Sequence, residues 1–257
     1  MGQIIAFANQ KGGVGKSTMT VQGAFYYALR KGKKVLVVDM DAQANTTSTL
    51  LGDNELTSTH SEKLFEENLE ELSIQTTEFG IDLIGSSLTD DSGYDAEALP
   101  LELAGNPAKH LRKLRDRYDY IFLDCPPSLG RRLLSALLAA DFVVSPVKLS
   151  GYAVSGLERL VTTMINVREQ FNPHLQLLGL IINEFDGSVA HQKALQEVRD
   201  ALDPSFVFDA MLNHRPPIDT ASRGAPVWRI RNGQRAAEEI AAIFDELETK
   251  INKALQE

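Results

Sequence analysis

The chain has 257 residues, 43% of them hydrophobic, one cysteine, and a formal charge of −9 from 35 acids against 26 lysines and arginines. A single cysteine excludes an internal disulfide, a zinc knuckle, or a cluster held by the cysteines of one chain, and points to a reducing, cytoplasmic setting. The acidic balance argues against a general nucleic-acid binder, and the sequence shows neither a signal-peptide pattern nor an apolar run of transmembrane length, so no membrane partner is expected.

In chain order, Ile4 to Ala8 reads as a buried strand, starting so near residue 3 that no DNA-reading helix-turn-helix is expected before it. The run Lys11-Gly12-Gly13-Val14-Gly15-Lys16-Ser17-Thr18 follows, then a helical pattern over Thr20 to Arg30. A strand at Val35 to Val38 ends in Asp39-Met40-Asp41. The stretch from Thr57 to Glu78 is acidic and weakly patterned, which predicts a mobile or family-specific insertion. Ile81 to Ile84 reads as a strand and Pro107 to Arg117 as a helix; the strand Tyr120 to Leu123 then ends in Asp124-Cys125-Pro126-Pro127. Further strands are predicted at Phe142 to Val147, Leu177 to Ile182 and, more weakly, Phe206 to Phe208. Further helices are predicted at Arg131 to Ala140, Val154 to Phe171, Val189 to Leu202 and Gln234 to Leu255. Near-continuous apolar strands alternating with amphipathic helices predict an α/β fold: one doubly wound, mostly parallel sheet with helices on both faces, as a single domain over residues 1–257.

The glycine-rich run sits where a strand gives way to a helix. There, unpaired backbone N–H groups and the helix dipole favour an anion. Gly12, Gly13 and Gly15 allow the backbone, Val14 included, to wrap phosphate oxygens. Lys16 is placed to reach the β- and γ-phosphates, Ser17 to ligate Mg²⁺ and Thr18 to meet the α-phosphate, so ATP and Mg²⁺ are the implied cofactors. The ordinary P-loop spacing asks for glycine at position 10, where this chain has Gln10, and the loop carries a second lysine, Lys11. In open α/β sheets ligands sit at the carboxyl ends of strands, which makes Asp124 the expected outer-shell holder of the metal.

Lys11 to Thr18, Asp39-Met40-Asp41-Ala42-Gln43-Ala44-Asn45-Thr46 and Asp124-Cys125-Pro126-Pro127-Ser128-Leu129-Gly130 together closely resemble the ParA-type partition ATPases, a deviant Walker A group that also contains MinD. The chain departs at Ala42, where the family usually has proline, and at Ala44, where it usually has glycine. The resemblance implies that Lys11 crosses a dimer interface to the partner's phosphates, so that two ATP molecules are sandwiched between two chains. It also implies that Asp41 orients the attacking water, that Asp39 supports the metal, and that Asn183 reads the adenine edge. A MinD-like tail would be a basic, membrane-lying helix. This tail is rich in glutamate, and Ile240, Ile243, Phe244, Leu247, Ile251 and Leu255 have the spacing of a helix packed on its own domain.

Between Arg215 and Arg235 stand five arginines against one acid, Asp219, a local charge of +4 that leaves −13 on the remainder. Such a cluster attracts a polyanion without sequence preference, although a solvated face or an internal salt-bridge set looks the same in sequence. The resemblance assigns nonspecific double-stranded DNA to Arg223, Arg229, Arg231 and Arg235. A second cluster comprises Lys109, Arg112, Lys113, Arg115 and Arg117. The expectation is a cytoplasmic, nucleoid-associated ATPase that dimerises on ATP, binds DNA in that state and is released by hydrolysis stimulated by a ParB-type adaptor. Two alternatives stay open: the same switch positioning a protein cargo, and a nucleotide-gated scaffold with negligible turnover.

Overall fold

The computed structural model describes residues 1–69, 71–87, 96–149 and 153–256, the side chains of 153–160 and Pro204 excepted. Its strands are β1 (Gln3–Phe7), β2 (Val35–Asp39), β3 (Gln75–Thr76), β4 (Asp82–Ile84), β5 (Tyr120–Asp124), β6 (Phe142–Lys148), β7 (Gln176–Phe185) and β8 (Leu212–Asn213). They form one sheet in the order β3-β4-β2-β5-β1-β6-β7-β8, parallel throughout except at the β3/β4 edge. The helices are α1 (Lys16–Phe25), α2 (Asn45–Leu51), α3 (Asn106–Arg112), α4 (Arg131–Ala139), α5 (Ala153–Gln170), α6 (Val189–Ala201), α7 (Pro216–Ala221) and α8 (Gln234–Ala254).

Side chains alternate across a strand, and this chain uses both faces for core. Ile5, Phe7, Val35, Val37, Phe122 and Val144 point to one face, where Met19 and Phe25 of α1 and Ile240, Ile243, Phe244, Leu247 and Ile251 of α8 cover them. Ile4, Ala6, Leu36, Val38, Ile121, Leu123 and Val143 point to the other, against Leu111 of α3 and Leu133, Ala136 and Leu137 of α4. That double burial is why the strands read as unbroken apolar runs. The tail helix therefore packs on the sheet through its apolar stripe; only Leu255, 57% exposed, falls outside it. Its Phe244 ring lies so close to α1 that any side chain at Gly23 would collide with it, and Tyr27 donates its hydroxyl proton to the Phe244 carbonyl at 2.9 Å. Among the described residues no helix is long and apolar enough to cross a membrane.

Three expectations need correction. The mobile reading of the stretch from Thr57 to Glu78 gives way, among its described residues, to packing on the domain: Leu64 and Phe65 are buried at 0% and 2% exposure, and Asn106 and His110 of α3 bond the Phe65 and Glu66 carbonyls. The weak strand at Phe206 to Phe208 is a tight turn over Pro204–Phe206 with a single bridge from Val207 to Leu180; the eighth strand is β8 instead. The helix expected over Pro107 to Arg117 ends at Arg112 and continues as a short 3-10 turn at Arg115–Arg117.

The topology sets the site. β1 lies between β5 and β6, and the register pairs Phe7 with Asp124 and Asp124 with Asp39. The loop leaving β1 and the carboxylates closing β5 and β2 thus emerge side by side at the carboxyl edge, where the strand order reverses.

Candidate functional site

The loop is strapped down before it turns. Asn9 donates to the Ser145 hydroxyl (3.2 Å) and the Pro146 carbonyl (2.8 Å) of β6, while its own oxygen accepts the Lys11 N–H at 2.9 Å. Gln10, the residue that breaks the ordinary P-loop spacing, donates to Thr163 of α5 at 3.0 Å. Gly13 and Gly15 take φ of +69° and +100°, dihedrals that L side chains resist. Side chains at Gly12 or Gly13 would meet nothing within 4 Å, so this part of the loop fronts open space. At Gly15 a Cβ would instead collide with the Asn183 amide. Gly15 is the N-cap of α1, accepting the first helical bond from Met19 N–H at 2.9 Å, so the N–H groups that follow face the cradle.

Lys16 is 6% exposed and its ammonium donates to the Lys11 carbonyl at 3.4 Å; Lys11 itself is exposed on the rim. Ser17 and Thr18 are half-buried at the start of α1 and, with Gly12, Gly13, Gly15, Lys16, Asp41 and Asn183, line a cavity of about 620 Å³. Val14 is buried beneath the loop, and its carbonyl accepts a 2.8 Å hydrogen bond from Asn183 Nδ2. Asn183 is 3% exposed and its Oδ1 has no partner, so its nitrogen clamps the loop while its oxygen stays open. A larger cavity, about 980 Å³, opens among Met1, Arg115, Asp141 and Leu255 and contains none of these groups.

The three aspartates differ in surroundings. Asp39, wholly buried, accepts from Asp41 N–H at 3.1 Å, and from the N–H and hydroxyl of Thr47 at 2.8 and 2.7 Å. Both oxygens are thus engaged by protein donors, and through Thr47 Asp39 anchors the first turn of α2 beside Asp124, outside the cavity lining. Asp124, also wholly buried, accepts the Thr46 hydroxyl at 2.6 Å on one oxygen, while its Oδ1 has no partner. Burial raises the proton affinity of both. At Asp39 the neighbouring Asp124 charge adds to the rise; at Asp124 the nearby Ser17 hydroxyl and the bonded Thr46 hydroxyl oppose it. Asp41 is 8% exposed; its Oδ1 accepts from Gln43 N–H at 3.0 Å, and it faces the cavity. Cys125 packs in the core, where burial pushes its thiol up.

A bare, buried carboxylate oxygen beside a loop serine is the donor set a hard divalent cation takes when phosphates complete its shell. Among the described residues no cluster of three or more His, Cys, Asp or Glu is arranged to hold a metal ion. Thr46 and Thr47 were not anticipated. Their only signal was position: Thr46 closes the Asp39 to Thr46 motif, without a role read from it, and Thr47 follows directly.

Of the basic cluster, Arg223, Arg229, Arg231 and Arg235 are exposed, with the Arg229 guanidinium 5.5 Å from the Phe79 ring centre. Arg215 is not part of a free patch: it donates from Nε and Nη2 to Glu239, at 2.9 and 2.5 Å. In the second cluster, Arg115 bonds the Gly2 carbonyl and Asp141, Arg112 the Leu138 carbonyl, and Lys109 the Asn106 side chain, so much of that charge is committed within the fold.

A family model described as an AAA domain matches residues 2–177. The chromosome-partitioning ATPase Soj of Thermus thermophilus is 42% identical over 189 residues, covering 71% of this chain and 70% of that protein. The chromosome partitioning protein ParA of Myxococcus xanthus is 36% identical, covering 77% and 71%. A putative plasmid partition protein of Borrelia burgdorferi, solved with AMPPNP, superposes with a TM-score of 0.77 at 28% identity over 96% of this chain and 99% of that one. Cobyrinic acid a,c-diamide synthase of Mycobacterium smegmatis, solved with ADP and magnesium, superposes with a TM-score of 0.74 at 27% identity over 87% and 91%.

Proposed function

This chain belongs to the AAA domain family that includes the Soj and ParA partition ATPases, and from that premise we propose that it is a Mg²⁺-dependent ATPase whose ATP-bound dimer holds nonspecific DNA until hydrolysis releases it. The observation carrying this reading is the register Phe7–Asp124–Asp39, which sets a phosphate loop beside a buried carboxylate with one bare oxygen.

The loop N–H groups and Lys16 bind the triphosphate; on nucleotide entry the ammonium exchanges its 3.4 Å bond to the Lys11 carbonyl for phosphate oxygens. Ser17 and Asp124 would hold Mg²⁺, which when bound neutralises charge on the phosphates. Asp41 holds the attacking water in line, and Lys11, on the exposed rim, completes the partner protomer's site as a second cation near the γ-phosphate. Asn183 fixes the loop through Val14 and keeps its oxygen for the base. Arg223, Arg229, Arg231 and Arg235 form the surface for DNA, and a ParB-type adaptor with a basic segment suits the acidic remainder and speeds turnover. The protein acts on the nucleoid, in the cytoplasm, as a single domain.

The test is phosphate release and DNA co-sedimentation for the wild type, Lys16→Ala and Asp41→Ala. The expected result is loss of nucleotide binding in Lys16→Ala, and in Asp41→Ala an intact, DNA-bound dimer with no turnover. Full activity in Asp41→Ala would remove that residue from catalysis, and absence of phosphate release from the wild type with DNA and adaptor present would leave only a nucleotide-gated scaffold.

A further inference from the structure

Among the described residues Arg132 is the largest fully buried side chain, 1% exposed, and the nucleotide reading gives it no task. It stands in the first turn of α4, directly after the Asp124 to Gly130 loop. Its Nη2 donates to Glu62 at 2.6 Å, and its Nη1 donates to the Met40 carbonyl at 3.2 Å. Glu62 comes from the stretch between Thr57 and Glu78; it is itself nearly buried, accepts the Ser86 hydroxyl at 2.9 Å on the same oxygen, and leaves its Oε2 without a partner.

The Met40 carbonyl belongs to the peptide unit that leads into Asp41. The other end of that unit, the Asp41 N–H, donates to Asp39 Oδ1 at 3.1 Å. One peptide plane is therefore held at its oxygen by a guanidinium and at its nitrogen by a carboxylate. The preceding N–H, that of Met40, donates to the Asp124 carbonyl at 2.9 Å. A peptide gripped at both ends has little freedom to rotate, and its rotation would swing the Asp41 side chain. Burying an ion pair is a poor source of stability compared with apolar packing, so an internal arginine fixed by a glutamate 70 positions away calls for another reason.

We infer that Arg132, held by Glu62, is a positioning residue that sets the orientation of Asp41 through the Met40 carbonyl. This inference rests on the reading of Asp41 as the residue that orients water. It makes the Thr57 to Glu78 stretch part of the hydrolytic apparatus without contact with the nucleotide: displacement of Glu62 by a partner or a substitution frees Arg132 and loosens Asp41.

The experiment uses the full chain and two measurements, the affinity for a fluorescent ATP analogue and the single-turnover rate of ATP hydrolysis. Arg132→Met alone strands Glu62 as an unpaired buried charge and puts folding at risk, so Arg132→Met/Glu62→Leu is made beside it, replacing the pair by apolar groups. The expected result in whichever variant folds is analogue affinity within about twofold of wild type and a hydrolysis rate lower by about 100-fold, the scale of a 1 Å misplacement. Arg132→Lys, able to reach the Met40 carbonyl but lacking the fork, recovers part of that rate. Adding Asp41→Ala to the pair replacement produces no further loss beyond Asp41→Ala alone, because both act through one group. A wild-type rate in the folded pair replacement, or affinity falling in step with rate, overturns the inference. If Asp41→Ala is itself fully active, the catalytic reading of Asp41 has failed instead, an outcome that no result with Arg132 can imitate.

Discussion

Gly15→Ala adds one methyl at the tightest point of the phosphate loop, and its effect can be worked from the geometry. The residue holds φ +100°, where an L side chain costs about 1–2 kcal/mol. The new Cβ would also lie well inside contact distance of Asn183 Nδ2, which is pinned to the Val14 carbonyl at 2.8 Å. Moving that amide loses a hydrogen bond worth about 1 kcal/mol and leaves a buried polar group short of a partner, about 1–3 kcal/mol more. The sum, about 3–6 kcal/mol, is a large share of the 5–15 kcal/mol typical of a folded domain. Thermal melts followed by circular dichroism should therefore drop by roughly 10 °C, at about 2–4 °C per kcal/mol for a chain of this size, and analogue binding should weaken with them. Asn183→Ala removes the obstacle but not the dihedral strain, so the double variant should recover part of the loss, a coupling of about 1–3 kcal/mol. Strictly additive losses would mean that the amide does not back the loop as described.

Three further outcomes are expected. Arg231→Ala should lower DNA affinity by a similar factor on any sequence and reduce the slope of log affinity against log salt by about 1, with ATP binding unchanged; an unaltered slope would remove Arg231 from the interface. Ala44→Gly replaces a residue at φ +50° and ψ +32°. Relief of left-handed strain, about 1–2 kcal/mol, opposes glycine's extra unfolded-state entropy of about 0.5–1 and the loss of a buried methyl worth about 0.8, so the melt should move by less than about 3 °C; a larger fall would show that the backbone does not turn left-handed here. Burial raises the folded-state proton affinity of Asp39 and Asp124 in the nucleotide-free chain. Raised carboxyls contribute stability that is present below the unfolded value near 3.9 and is lost as pH rises through their folded values. Melts of the nucleotide-free protein should therefore decline with pH above the ordinary carboxylate range, and Mg²⁺ with a non-hydrolysable nucleotide should offset the decline; a profile flat in pH would contradict the burial argument.

The sequence carried the phosphate loop because its logic is local: glycines, a lysine and a hydroxyl between a strand and a helix suffice. It carried the sheet because burial on both faces writes itself as unbroken apolar runs. What it hid was long-range pairing. Asp39 and Asp124 look alike as strand ends, and only Thr47, eight residues past Asp39 on a helix too short and polar to show a period, separates anchor from open carboxylate. Arg215 counted toward a basic patch until Glu239, 24 residues on, neutralised it. Leu64 and Phe65 are buried on a five-residue 3-10 turn, Ser61–Phe65, too short to leave a periodic trace. β8, at two residues, is below the length at which alternation can be read.

Environment, more than residue type, assigns the carboxylates their separate tasks. Asp39 is met only by neutral donors, has both oxygens engaged and bears the unfavourable field of Asp124, so it is suited to hold backbone and least suited to approach a nucleotide. Asp124 has one oxygen bonded and one bare, and burial raises its proton affinity against the weaker opposing pull of the Lys16 charge, so it gains most from a cation. Asp41 alone faces the cavity, where water can reach it. Thr46 and Thr47, neighbours on α2, bond Asp124 and Asp39 respectively. A shift of α2 by even 1 Å would therefore strain a bond to the end of β5 and another to the end of β2 together. Whatever moves α2 must act on both buried carboxylates at once, which makes the first turn of this short helix a linkage between the ends of β2 and β5.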